Sequence, residues 1–220
     1  MTAAERRRDH RSRVGKERRA RTESRILEVA LEVFADRGAE APVIDDFVQA
    51  ASIARGTFYN HFKSVDELLL ATSEATTRKV IEAIEDGLRH TRGPSLRLGV
   101  GLRLFLMHAR RQPLWSRFVA RVWQVGGLEL PLRDIEDGIR RGQFHVSGRE
   151  AARDLVIGGV REALRSLGDK RVGASYCDDV VKLCLHALGA DERHIAQAME
   201  HPLPELSSLP GDSTGAPSRR

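Results

Sequence analysis

Residues 43–62 read VIDDFVQAASIARGTFYNHF, and two short helices meeting at a tight corner account for the pattern. Ile44, Phe47 and Val48 recur at i, i+3 and i+4, the spacing of one helix face, and Asp45 and Asp46 stand in the opening turn, where carboxylates meet the positive end of the helix dipole. Ser52, Ile53 and Ala54 leave room only for a sharp helix-to-helix corner, as in a helix-turn-helix unit. The second helix starts near Arg55, and Phe58 and Phe62, four residues apart, point together into a core. Thr57, Tyr59, Asn60 and His61 are expected to face outward. Hydroxyls, an amide, an imidazole and the cations Arg55 and Lys63, all within one or two turns, are the groups that contact phosphates and base edges in a DNA groove. A small aromatic helix capping a core is the plainer reading of FYNHF alone. No pairing of nucleophile and base explains the mixture better.

On the N-terminal side, Ile26, Val29, Ala30, Val33 and Phe34 carry one apolar helix face, predicting a helix from about Thr22 to Arg37 that Gly38 closes in the left-handed conformation. On the C-terminal side, Ser64 and Glu67 form a capping box that opens a long helix through Leu68, Val80, Ile81, Ile84 and Leu88, ended by Gly93-Pro94. The stretches RILEVALEVFADRGAEA and VIDDFVQAASIARGTFYNHFKSVDELL make residues 22–80 resemble the DNA-binding domain of the TetR/AcrR family of transcriptional regulators. The resemblance implies an all-α protein, with an N-terminal three-helix helix-turn-helix domain joined by a long helix to an all-helical ligand-binding and dimerisation domain. It also implies DNA contacts by Arg55, Gly56, Thr57, Tyr59, Asn60, His61 and Lys63. Some positions depart from the family pattern. Val43 replaces a capping Ser or Thr, at a cost to the helix start of about 1 kcal/mol and with loss of a phosphate contact. Pro42 stands where Thr is common and Ala39 where an aromatic is. Ser52 replaces the usual turn glycine, Ala54 a frequent serine, and Val65 a lysine that binds phosphate in some members.

The 220 residues suffice for one large or two small domains, and a hydrophobic content of 41% is ordinary for a globular protein. A net charge of +5 and a pI near 9.7 favour a polyanionic partner. Much of the positive charge lies in residues 1–21, where Arg6, Arg7, Arg8, Arg11, Arg13, Arg18, Arg19 and Arg21 stand among few apolar side chains. Such a segment is expected to be flexible, and residues 1–19 are read as a basic arm. A solubilising tail fits the composition as well; adjacency to the helix-turn-helix favours an arm that follows phosphates or enters the minor groove. Two cysteines and the absence of a secretory leader pattern predict a reducing, cytoplasmic setting, and no apolar run reaches the length of a membrane helix.

From Ser95 to Met199 the periodicity is helical throughout, with segments expected at 96–111, 114–125, 131–141, 147–167, 175–188 and 191–199 and a tail at 202–220. Ser147, with Glu150 three residues on, is the expected cap of the fourth of these. Two late helices have wide apolar stripes. The family resemblance implies that they pair with a second subunit, through Leu155, Gly159, Ala163, Val181, Cys184 and Leu188, with Gly158 and Gly159 permitting close approach; an ordinary intrachain core is the alternative. Cys177 and Cys184 share a face and behave as small hydrophobes, without an evident thiolate stabiliser. The eight histidines show no metal-ligand spacing, and Gly99-Val100-Gly101 follows no strand, so it is not a phosphate loop. Neither a metal, a cofactor nor a catalytic set is expected. Phe105, His108, Trp115, Phe118 and Trp123 are core candidates individually and, as a group with Gln124, candidate walls of a mostly apolar ligand cavity.

The expected organisation is therefore a basic arm (1–19), a helix-turn-helix domain (20–80, motif 43–62), a helical ligand-binding and dimerisation domain (81–201) and a tail. The expected function is that of a homodimeric regulator, most often a repressor in this family, released from a palindromic double-stranded DNA operator by a small-molecule effector. A helical small-molecule-binding protein, or an enzyme, without operator binding is the alternative.

Overall fold

A computed structural model describes the backbone of residues 3–122, 129–169 and 172–206, and the side chains of these from residue 13 onward except 129–131. Among the described residues every regular element is helical, and no helix is long and apolar enough to cross a membrane. The chain divides into two compact units, Met1–Thr72 and Ser73–Arg220, so the boundary falls a few residues before the expected position at 80.

The first unit contains α1 (Ala3–Arg37), α2 (Ile44–Ala50), α3 (Arg55–Tyr59) and α4 (from Val65, ending at Ser73). Ile26, Ala30 and Phe34 of α1 are fully buried with Phe47 and Phe58. The rings form a chain, Phe34 to Phe47 at 5.0 Å, Phe47 to Phe58 at 6.5 Å and Phe58 to Phe62 at 6.1 Å between centroids. Five residues cannot sustain an isolated helix; α3 is held by the aromatic anchors it contributes. Gly38 closes α1 at φ +85°, its N–H donating to the Phe34 carbonyl at 2.9 Å, as a left-handed cap does.

The expected flexible arm is corrected: α1 begins at Ala3, not near Thr22. Thr22 does not cap; its hydroxyl donates back to the Arg18 carbonyl at 3.0 Å. The reason is that Arg, Ala and Glu are strong helix formers, and a segment added to an existing helix bears no nucleation cost. An Arg13–Glu17 pair at 3.7 Å lies along this extension. Low apolar content argues against an independent core, and a helix continuing from a packed one needs none.

The second unit begins with a π-helical turn (Glu74–Arg78) and α5 (Lys79–Leu88), so the expected long helix is interrupted rather than uniform. It continues with α6 (Pro94–Arg111), α7 (Pro113–Arg121), α8 (Glu129–Arg140), α9 (Arg149–Gly168), α10 (Tyr176–Ala187) and α11 (Glu192–Glu200). Helix α6 is the central element and packs on α5, α7, α8, α9, α10 and α11. Its Gly99 allows this closeness, since a Cβ there would come within 2.5 Å of Ala198; the Gly99-Val100-Gly101 run serves helix packing. Asp191 caps α11 by accepting the His194 N–H at 2.8 Å. Ser147 does not cap α9: Gly148 takes that place, without a side-chain bond. Residues 202–206, expected in the tail, lie on α5, where Pro204 and Leu206 approach Gly87. Arg103 fixes the preceding turn by donating to the Ala198 and His201 carbonyls at 2.9 and 2.8 Å. Residues 207–220 lie outside the described ones.

Candidate nucleic-acid interface and internal cavity

Helix α2 starts without a side-chain cap at Val43. Half of the capping role passes to Asp46, which accepts the Val43 N–H at 2.8 Å and an Arg37 N–H at 2.6 Å. The backbone bond to Val43, aided by Arg37, holds its carboxyl below the ordinary value. Between α2 and α3 the chain reverses through Ser52 at φ +50°, the left-handed region that costs an L side chain about 1–2 kcal/mol. This is the position where the family pattern has glycine.

Phe58 and Phe62 face inward while Arg55, Gly56, Tyr59, Asn60 and Lys63 are exposed and Thr57 is half-buried. Tyr59 keeps 48% of its surface in solvent. Arg55 is paired with Asp45 at 3.1 Å, and hydrogen bonding to Tyr59, one turn on, raises its already high pKa further, with Asp45 adding to the effect. The guanidinium is thus preoriented on the surface, and Asp45 is the partner a phosphate would replace. Gly56 has nothing within 4 Å of a hypothetical Cβ, so internal packing does not require a glycine there. Glu67 accepts the Lys63 N–H at 2.6 Å and donates its own N–H to Ser64 Oγ at 3.1 Å, the cap that starts α4 and aims Lys63 outward.

His61 is corrected. Its side chain is only 5% exposed and its Nδ1 lies 3.7 Å from Glu23 of α1, because α3 ends at Tyr59 and the turn beyond swings the ring back onto α1. Arg19 of α1 donates to the Asn60 carbonyl at 2.9 Å, a contact that sequence spacing could not reveal. The basic helix is thereby tied to the end of α3.

In the second unit, α5, α6, α8 and α9 line a mostly apolar cavity that is partly open to solvent. Ile84, Leu88, Leu98, Phe105, Ile135 and Val160 belong to its wall, and among the described residues its polar lining residues are Glu85, Arg97 and Asp134. Of the expected ligand residues that are described, only Phe105 lines it. His108, Trp115 and Phe118 are buried in packing, with the Trp115 ring 5.3 Å from Phe105 and 4.7 Å from His108. Trp123 and Gln124 lie outside the described residues. The wall is mainly aliphatic, which is why the aromatic residues pointed beside it.

The expected dimer residues divide. Leu155 is 63% exposed and nothing lies near Gly159, whereas Ala163, Val181, Cys184 and Leu188 are buried inside the chain. These four are corrected to core, because the inner faces of α9 and α10 pack on α7, on α6 and on each other. The sequence reading did not single out Leu183 of α10, which is 67% exposed.

An exposed polar helix after a tight corner, on a three-helix aromatic core, defines the class of the first unit: a helix-turn-helix domain. Residues 26–72 match the family described as bacterial regulatory proteins, tetR family. The HTH-type transcriptional activator FasR of Mycolicibacterium smegmatis (strain ATCC 700084 / mc(2)155) is 31% identical over 80 residues, 36% of this chain and 36% of that protein. The HTH-type transcriptional repressor KstR2 of Rhodococcus jostii (strain RHA1) is 38% identical over 67 residues, 29% of this chain and 33% of that protein. The chain thus spans about a third of the length of these curated relatives. By fold it resembles RolR without ligand, at a TM-score of 0.62 and 23% identity over 84% of this chain and 100% of that one. RolR in complex with resorcinol matches at a TM-score of 0.57 and 21% identity over 87% and 100%. The family likeness thus lies in residues 26–72, and the likeness to RolR is one of fold.

Proposed function

We propose that this protein is a homodimeric, ligand-responsive transcriptional regulator, a repressor that leaves a palindromic operator when a small molecule fills the α5–α6–α8–α9 cavity. The observation that carries the reading is the face of residues 55–63. Arg55, Gly56, Tyr59, Asn60 and Lys63 are exposed on a backbone that Phe58 and Phe62 fix from behind. A DNA-reading surface needs such a face, with donors and acceptors held in register by a core they do not enter. Arg55 and Lys63 would meet phosphates, Tyr59 and Asn60 phosphates or base edges, and Gly56 would let the duplex approach the backbone. The exposed Leu155, Gly158, Gly159 and Leu183 support pairing with a second copy, which would place two reading helices on half-sites one helical turn or more apart. Regulation would take place in the cytoplasm, where the operator is, and no catalytic step is part of the proposal.

A ligand acts only through differential affinity for two conformations. The cavity borders α5, and the chain runs from α5 back through the π-helical turn into α4 without a loop, a route by which filling the cavity could bias the reading unit. A coupling of about 1–3 kcal/mol would change operator affinity about 5- to 150-fold. Relatives named both activator and repressor make the sign of regulation the finest part of the proposal. The test is a footprint and gel shift on DNA upstream of the protein's own gene. Tyr59→Ala and Lys63→Ala should weaken binding, the latter with a shallower salt dependence. Wild-type affinity and footprint in both variants would show that the reading surface lies elsewhere.

A further inference from the structure

We infer that the cavity takes a small apolar molecule with a hydrogen-bond-donating head, a hydroxyl or a protonated amine, and discriminates against the same body carrying a carboxylate. The inference rests on the reading of this cavity as the ligand site. An arginine in an apolar pocket invites the opposite conclusion, an anchor for an acid, but the geometry opposes it. Arg97 already donates from Nε to Asp134 at 3.2 Å, from Nη2 to Glu85 at 2.8 Å and from Nη1 to the Leu88 carbonyl at 2.8 Å. The positive charge is engaged on all three nitrogens, by two carboxylates and the C-terminal end of α5.

With all three side chains ionised, the described residues at the polar end of the cavity set one guanidinium against two carboxylates, a net charge of −1. The carbonyl end of α5 adds negative potential. Among the described residues, the second oxygens of Glu85 and Asp134 accept no hydrogen bond, and two of the five Arg97 N–H groups donate none; the excess of carboxylate charge is what favours a donating head over an acidic one. Burial raises the Asp134 carboxyl above its ordinary value against the pull of Arg97, and the neighbouring Glu85 and Asp137 charges add to the rise. A hydroxyl or ammonium would complete these acceptors. A carboxylate would have to displace Asp134 or Glu85 from Arg97, or lie beside them unpaired, and an unpaired charge in an apolar cavity is costly.

The probes are 2-naphthol, 2-naphthylmethylamine and 2-naphthoate, one apolar body with three heads, titrated calorimetrically into the full-length protein without DNA. The alcohol and the amine should bind, and the acid should bind at least about tenfold more weakly, the scale of one charged hydrogen bond. Asp134→Asn, and independently Glu85→Gln should the first variant fold poorly, should lower amine affinity about tenfold and narrow the gap to the acid. Naphthoate binding as tightly as the amine, or amine binding unchanged in both variants, overturns the head-group assignment alone. Binding of none of the three removes the cavity as a ligand site and that part of the proposed function with it. Because DNA is absent from the titration, a failure of operator binding leaves this result standing.

Discussion

Val43 and Ser52 occupy backbone positions that suit other side chains better, and both can be tested without touching the core. Val43 is exposed at the N-cap of α2, where the sequence departs from a capping hydroxyl, and Asp46 supplies only the reciprocal half of the cap. Val43→Thr should stabilise the protein by about 1 kcal/mol, seen as a higher urea midpoint with an unchanged slope. Ser52 is held at φ +50°. Relief of strain outweighs the added freedom of the unfolded chain, so Ser52→Gly should gain about 0.5–1 kcal/mol, and Ser52→Val should lose more than that, by the same measurement. Gly56 makes the opposite test: Gly56→Ala should leave stability equal or raise it by up to about 1 kcal/mol and yet weaken operator binding in a gel shift. Unchanged binding would mean that no partner approaches the backbone there. Both departures were legible in the sequence, because a cap and a turn are local. His61 was not: its direction depends on the helix ending at Tyr59, and element ends are the least legible part of a periodic pattern.

Among the elements, α1 and the α9–α10 pair show why composition and periodicity stop short. An arginine-rich segment with few apolar residues reads as flexible, but attached to a packed helix it continues that helix, and Arg19 then reaches the Asn60 carbonyl. Removing residues 1–18 should lower helix content in far-ultraviolet circular dichroism and reduce DNA affinity more at low salt than at high, as lost phosphate contacts do. Equal affinity at all ionic strengths would leave the extension without a role on DNA. In α9 and α10 apolar residues cover more than one face, and spacing cannot tell which face a neighbouring helix has already taken. Once the inner faces are assigned, Leu155 and Leu183 remain outside. Leu155→Glu with Leu183→Glu should shift the protein toward monomer in sedimentation, raising the dimer Kd at least about tenfold, since each leucine buried in an interface is worth roughly 1.5–3 kcal/mol. Helix content should stay the same.

Across the whole molecule, the fold class was legible because every segment carried one helical period, and caps at Gly38 and Ser64 marked real ends. The cavity was less so. Its wall comes from residues such as Ile84, Leu98 and Val160, which periodicity marks only as core; which helices enclose space is a tertiary fact. The cysteines follow the sequence reading and give a global probe. Cys177 and Cys184 are buried, burial pushes the Cys184 thiol up to about 11, and it raises Cys177 as well despite Arg110. At pH 8 both should react with a thiol reagent orders of magnitude more slowly in native than in denaturant-unfolded protein, and fast labelling of the native state would place them on an accessible surface.

The aromatic backing of α3 has a consequence for how such a protein can change over generations. Phe58 and Phe62 belong to the interior, whereas Asn60, Lys63 and the half-exposed Tyr59 present polar groups to the solvent. Substitutions in the second group meet little selection from folding, and those in the first meet most of it. A duplicated gene could therefore retarget its copy to a new binding site by a few exchanges at 59, 60 and 63 while inheriting its stability intact. A library randomised at these positions alone should be rich in folded members with altered specificity, and one randomised at 58 and 62 should be poor in folded members of any kind.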